Sequence, residues 1–180
     1  FQISANSFFQ TNSLMAEKLY DVILDSANLN GDEIVYDLYC GAGSISLFLA
    51  KKAKFVYGFD IIVSSIENAE QNAVINNIQN IDFKVANLDS FFYSNKSNKY
   101  PSADVVIVDP PRAGMHKKMT EYLPKIGAKK IIYVSCNPST QARDSQILKS
   151  NGYKLQKLTV VDMFPHTPHV ETVGVFKKSK

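Results

Sequence analysis

The sequence predicts an α/β domain on a mostly parallel seven-stranded sheet, with helices on both faces and an antiparallel strand pair at the C-terminus. Short β-branched and aromatic runs alternate with stretches of helical spacing, the pattern of strands joined by helical crossovers. The run Val105–Val108 is apolar without a break, as a strand covered on both faces must be. The last runs, Tyr153–Val161 and Val170–Phe176, close the chain as an antiparallel pair.

Taken in order, Met15–Leu29 is an amphipathic helix with Leu19, Val22, Ile23 and Ala27 on its apolar stripe. Ile34–Leu38 is the first strand. Ser44–Lys52 is a helix carrying Ile45, Leu47, Phe48 and Leu49, and the cations Lys51, Lys52 and Lys54 suit its C-terminal dipole. Phe55–Phe59 is a strand that ends at Asp60. Ile62–Ile75 has helical spacing through Ile62, Ile66, Ala69 and Ala73, and stops at Asn76-Asn77. Ile81–Val85, Asp104–Val108 and Lys130–Val134 are further strands. Ser139–Ser150 is a helix with Pro138 near its start and Gly152 just past its end, the expected asymmetry. The polar run 94–99 is a surface loop, and Lys177, Lys178 and Lys180 form a solvated tail.

With 180 residues, the chain is expected to be a single domain spanning 1–180. Its opening at Phe1 rather than Met suggests an excised domain, and no signal peptide is expected at its start. No apolar run approaches the roughly 20 residues of a membrane helix. The two cysteines, Cys40 and Cys136, give neither a disulfide framework nor metal-ligand spacing, so no metal is expected. Free thiols suit a reducing compartment, hence the cytoplasm. The net charge of +3 permits an anionic partner without demanding one.

The first strand runs into Asp37-Leu38-Tyr39-Cys40-Gly41-Ala42-Gly43-Ser44. Gly41 and Gly43 allow a sharp turn and close approach of a ligand to the backbone. Asp60 ends the next strand, where an acid can hold ribose hydroxyls. The residue three after Gly43 is Ser46, so the third glycine of a dinucleotide loop is missing. The loop looks more like the methyl-donor loop of S-adenosylmethionine enzymes. Asp109-Pro110-Pro111-Arg112 follows the fourth strand and makes a rigid, non-helical exit. Enzymes that methylate exocyclic amino groups carry a similar Asp/Asn-Pro-Pro, but followed by an aromatic, and Arg112 stands there instead.

Cys136 lies at a strand end, next to the expected start of a helix, where a thiolate is favoured and the thiol pKa lowered. Cys40, inside the glycine loop, reads as a small buried hydrophobe. Glu171 enters a strand beside Val170, Val173 and Val175, and partial desolvation there makes a carboxylate a better base. His166 and His169 read as turn residues. A thiolate, a base and a sulfonium methyl donor can together methylate carbon 5 of uracil. The thiolate adds to carbon 6, the resulting enolate takes the methyl at carbon 5, and the base removes the carbon 5 proton. Such chemistry needs a flipped-out or single-stranded nucleotide.

The segments Phe8-Phe9-Gln10-Thr11-Asn12, Asp37–Gly43, Asp109-Pro110-Pro111-Arg112-Ala113-Gly114, Val134-Ser135-Cys136-Asn137-Pro138 and Asp162-Met163-Phe164-Pro165-His166-Thr167 resemble those of the bacterial RNA (uracil-5-)-methyltransferases, in that family's order and across nearly the whole chain. The resemblance implies a Rossmann-like class I methyltransferase domain acting on uridine in tRNA or rRNA, with S-adenosylmethionine as cofactor. It implies Cys136 as nucleophile and Glu171 as base. It also implies that Gln10, Tyr39, Gly41, Gly43, Ser44, Asp60, Asn87 and Asp109 contact the cofactor, and that Asp109 helps place the uracil. Asp60 stands where many members have glutamate, and Pro111 where some have alanine. The family's upstream RNA-binding β-barrel and central domain are not in this sequence, and two cysteines cannot hold a four-cysteine iron–sulfur cluster. The rival readings are an amino-group methyltransferase using Asp109-Pro110-Pro111, and a non-catalytic RNA-binding domain.

Overall fold

The strands form because short apolar runs can be buried on both faces only inside a sheet covered by helices on each side. The computed structural model describes residues 12–91, 99–163, 165–167 and 169–179. In chain order they form α1 (Ser13–Ala27), β1 (Ile34–Leu38), α2 (Ser44–Ala50), β2 (Phe55–Asp60), α3 (Val63–Ile75), β3 (Ile81–Val85), α4 (Leu88–Phe91), β4 (Val105–Val108), α5 (Lys117–Tyr122), a 3-10 turn (Leu123–Ile126), β5 (Lys130–Ser135), α6 (Pro138–Ser150), β6 (Tyr153–Val161) and β7 (Glu171–Lys178). The seven strands lie in the order β3-β2-β1-β4-β5-β7-β6. The first five are parallel, and β7 runs antiparallel between β5 and β6. This is the arrangement that the family resemblance implies.

Strand alternation divides the core. Val35, Val105, Ile107, Ile132 and Val134 face α1 and α2 through Leu19, Ile23, Ile45 and Leu49. Tyr36, Leu38, Val106, Val108, Ile131 and Tyr133 face Met119, Leu123 and Leu148 on the other side. Helix α3 packs beside α2 through Ile66 and Ala69 around Phe83. The Phe83 ring lies so close to the backbone that a Cβ would come within 2.8 Å of it at Gly43 and within 2.4 Å at Gly58. Both glycines are therefore required by packing.

Helix ends differ from the sequence reading by one or two residues, as fraying ends do. Three short elements, α4, α5 and the 3-10 turn, go beyond it. Strand β7 starts at Glu171 itself and runs on to Lys178. Among the described residues, no helix is long and apolar enough to cross a membrane.

Order in the sheet reverses at β1, which pairs with β2 on one side and β4 on the other. Connections leaving neighbouring strands there go to opposite sides, so a crevice opens beyond the carboxyl ends. The residues singled out by motif, among those described, cluster at that end.

Candidate active site

The turn between β1 and α2 is built from left-handed backbone. Tyr39, Gly41 and Gly43 have φ of 66°, 55° and 83°. For tyrosine this conformation is strained, which is common where a loop is shaped for a ligand. Asp60, the last residue of β2, braces the turn. Its Oδ2 accepts the Gly41 N–H at 2.9 Å and its Oδ1 accepts the Ile62 N–H at 2.9 Å. Each carboxylate oxygen keeps a further lone pair for a ligand hydroxyl. Asn72 of α3, fully buried, donates to the Ala42 carbonyl at 3.1 Å and holds the turn from below. Ser44 opens α2 and is hydrogen-bonded to the Tyr20 hydroxyl of α1. Asn87 caps α4, its Oδ1 accepting the Asp89 N–H at 3.1 Å. Burial raises the Tyr39 pKa, and the charges of Asp89, Asp144 and Asp60 add to the effect.

Beneath this turn, Asp37 is fully buried on β1. One oxygen accepts from Ser46 at 2.5 Å, while Oδ1 has no partner among the described residues. Burial pushes its pKa up to about 7; the charges of Asp109 and Asp60 add to this and the Ser46 hydrogen bond opposes it. A buried oxygen without a donor marks a place where a donor-bearing ligand would be welcome. Cys40 is buried, as expected, and burial holds its thiol well above the usual value.

The second half of the site lies at the ends of β5 and β7. Ser135 pairs with Thr172 in their antiparallel register, so Cys136, just past β5, and Glu171, the first residue of β7, lie at the same sheet end. The Thr172 hydroxyl donates to the Ser135 carbonyl at 3.1 Å. Gln141 of α6 donates to the Tyr133 carbonyl at 2.8 Å, locking the helix to β5. Cys136 is exposed, and Glu171 is buried to 8% exposure. Burial, with the Asp109 charge, pushes the Glu171 carboxyl up to about 7. Asp109, at the end of β4, is itself pushed up to about 6 by desolvation. It acts electrostatically on Asp37 and Tyr20 on one side and on Glu171 and Cys136 on the other, so this carboxyl is shared by both halves.

The expected direction of the Cys136 shift is corrected. Asn137 caps α6 with its Oδ1 on the Ser139 N–H at 3.1 Å, which places Cys136 just before the helix as expected. The thiol pKa is nevertheless raised, by desolvation first and then by the charges of Glu171 and Asp109. Burial and two carboxyls outweigh one helix end.

The loop after β4 is held by groups that motif reading did not find. Asp144 of α6 accepts the Met115 N–H at 3.0 Å, the Tyr133 hydroxyl at 2.7 Å and the Arg143 guanidinium at 2.8 Å. A Cβ on Gly114 would come within 2.6 Å of Arg143 and 2.8 Å of Asp144, so the loop passes directly over this pair. Acid and base adjacent in sequence on a helix read as solvated surface, which hid them. Asn12 caps α1 and donates to the Met163 carbonyl at 2.9 Å, joining the first and last motifs. His166 lies in a turn at φ 71° and the Thr167 hydroxyl accepts the His169 N–H at 3.2 Å, as their turn reading expects. Gln10, with Phe8 and Phe9, lies outside the described residues, as do Phe164 and Pro168. Among the described residues, no group of His, Cys, Asp and Glu is arranged to hold a metal ion.

The sequence profile of the family described as tRNA (Uracil-5-)-methyltransferase matches residues 1–180. An uncharacterized RNA methyltransferase of Clostridium tetani is 49% identical over 173 residues, covering 96% of this chain and 37% of that protein. One from Chlorobaculum tepidum is 42% identical over 181 residues, covering 100% and 38%. The solved structure of Pyrococcus abyssi tRNA (uracil-54, C5)-methyltransferase, in complex with S-adenosyl-L-homocysteine, matches with a TM-score of 0.81 at 41% identity, covering 97% of this chain and 41% of that one. The chain thus spans about two fifths of the length of these relatives. Precorrin-6y C5,15-methyltransferase of Geobacter metallireducens, with a TM-score of 0.75 at 14% identity, shares the fold alone.

Proposed function

The chain belongs to the tRNA (uracil-5-)-methyltransferase family, and from that premise we propose that it methylates carbon 5 of a uridine in tRNA or rRNA through a covalent adduct with Cys136. The observation that carries this reading is the meeting of an exposed thiol with the desolvated carboxyls of Glu171 and Asp109 at neighbouring strand ends. A free thiol as nucleophile suits the reducing cytoplasm.

The donor-poor turn after β1 fits S-adenosylmethionine, whose ribose hydroxyls and ammonium are hydrogen-bond donors. Among the described residues Asp37 Oδ1 has no donor, and Asp60 retains lone pairs at the strand end. Tyr39, Gly41, Gly43, Ser44, Asp60, Asn87 and Asp109 would hold it, together with Gln10. Bound there, it supplies an electrophilic sulfonium methyl for carbon 5.

The chain's own residues do the rest. The Cys136 thiol releases its proton to solvent, and the sulfur pair forms a bond to carbon 6. The carbon 5–carbon 6 π pair shifts into an enolate on the ring carbonyl, which makes carbon 5 nucleophilic. After alkylation, Glu171 accepts the carbon 5 proton. That C–H pair rebuilds the ring double bond, the sulfur–carbon 6 pair returns to sulfur, and Glu171 passes its proton to water. With a pKa of about 7, Glu171 is both available as a base near neutrality and strong enough to serve. Asp109, beside both groups, accepts a hydrogen bond from the uracil ring.

The test is nucleoside mass spectrometry on RNA from cells lacking the gene, incubated with the full-length protein. The expected product is 5-methyluridine. Cys136→Ala should reduce it to background while calorimetric binding of S-adenosylmethionine survives. A methylated adenine or guanine, still formed by Cys136→Ala, would overturn the reading in favour of amino-group methylation at Asp109-Pro110-Pro111.

A further inference from the structure

The loop that follows β4 and the start of α6 are fastened to one another. The Arg112 carbonyl accepts from Asn137 Nδ2 at 3.2 Å and from Thr140 Oγ1 at 3.4 Å. One residue on, Arg143 Nη2 donates to the Ala113 carbonyl at 3.1 Å, and Asp144 takes the Met115 N–H. Asn137 follows Cys136 directly and is itself fixed as the cap of α6. Its backbone N–H donates to Ser135 Oγ at 3.1 Å, which closes the turn around the thiol. The backbone of Arg112 is therefore tied to the residue next to the thiol, on an exposed loop at the mouth of the site.

Among the described residues the Arg112 guanidinium forms no ion pair, whereas Arg143 is committed to Asp144. The charged groups that act on Cys136 come from three elements. Glu171 at the start of β7 and Asp109 at the end of β4 oppose a thiolate, and Arg112 favours one. Both carboxyls are held by their strands, so a nucleophile in this position gains from a nearby cation that offsets them.

We propose that Arg112 is a positioning residue that acts through Cys136, supplying positive charge that eases formation of the thiolate beside Glu171 and Asp109. The inference rests on Cys136 being the nucleophile. Sulfur carries the negative charge before it attacks carbon 6 and again when the sulfur–carbon 6 pair returns to it. One cation therefore serves both ends of the cycle, with no proton or electron of its own transferred. Arginine suits the task because it stays charged at every working pH.

The test follows alkylation of Cys136 by iodoacetamide as a function of pH, read by peptide mass spectrometry on the full-length protein; buried Cys40 serves as the unreactive reference. Arg112→Gln should move the alkylation profile to higher pH and slow the reaction at pH 7 roughly threefold or more, as expected for losing one nearby partly solvated charge. Arg112→Lys should restore most of the rate. The kcat for methyl transfer should fall in parallel, with the KM for RNA little changed and binding of S-adenosylhomocysteine intact. An alkylation profile unmoved in Arg112→Gln overturns the proposal. That includes the case in which only the KM for RNA rises, which would make Arg112 a phosphate contact. Failure of the nucleophile assignment is separable: Cys136→Ala would then remain active, whatever the alkylation profile of Arg112→Gln.

Discussion

Asp37 carries the least comfortable charge among the described residues, a fully buried carboxyl with one oxygen unpartnered. Its pKa is raised from 3.8 to about 7. A carboxyl raised in this way binds more protons folded than unfolded between those values. Its contribution to stability is therefore greatest below the unfolded pKa and is lost as pH climbs through the folded one. Asp37→Asn should accordingly stabilise the protein at pH 8 by about 1–3 kcal/mol and make no difference at pH 3, where both states are protonated. Urea unfolding at the two pH values checks this, and a gap independent of pH would contradict it. Glu171, raised from 4.5 to about 7, obeys the same sign. Its desolvation was legible in the sequence, because a glutamate entering a valine-rich strand has few other environments. The Cys136 shift was not. The helix start is local and visible, whereas Asp109 and Glu171 reach the thiol from other strands. Only strand order brings them together, and desolvation together with their charge reverses the local effect.

At the scale of elements, the glycine turn separates two uses of one residue type. Gly41 and Gly43 both have left-handed φ, yet a Cβ at Gly41 would meet nothing within 4 Å, while at Gly43 it would come to 2.8 Å of Phe83 and 3.0 Å of Ala69. Gly41→Ala should cost about 1 kcal/mol of backbone strain alone, and Gly43→Ala about 1–3 kcal/mol more for overpacking. Denaturant midpoints of the two variants measure the difference; equal losses would refute the packing role of Gly43. The strands were readable because each is a compact apolar run bounded by turn residues. Helices α4 and α5 were not, because they span 4 and 6 residues, too few for periodicity to show. The cap of α5 is His116, whose ring nitrogen accepts the Lys118 N–H, and histidine is not among the residues that announce a helix start. The clamp from Arg143 and Asp144 to the loop after β4 was hidden for a related reason. A helical position states its face but not which distant backbone it meets.

At the scale of the whole molecule, the function follows from where a parallel sheet changes direction. The reversal at β1 opens the crevice, and the ends of β1, β2, β4, β5 and β7 all deliver a polar group to it: the glycine turn, Asp60, Asp109, Cys136 and Glu171. The alternation of strands and helices foretold that architecture, and the motifs single out these strand ends. What only the folded structure adds is that the Asp109 charge acts on groups in both halves of the site. A ligand that binds the native state alone raises stability by mass action, so S-adenosylhomocysteine at 100 times its Kd should stabilise the protein by about 2.7 kcal/mol. A thermal midpoint unmoved by that ligand would favour the non-catalytic reading. The most direct measurement replaces the target uridine with 5-fluorouridine, whose fluorine no base can remove, and maps the protein–RNA adduct by mass spectrometry. The account predicts a methylated fluoropyrimidine attached to the peptide bearing Cys136, and none with Cys136→Ala. Turnover of natural RNA without any trapped adduct, or an adduct on Cys40, would contradict it.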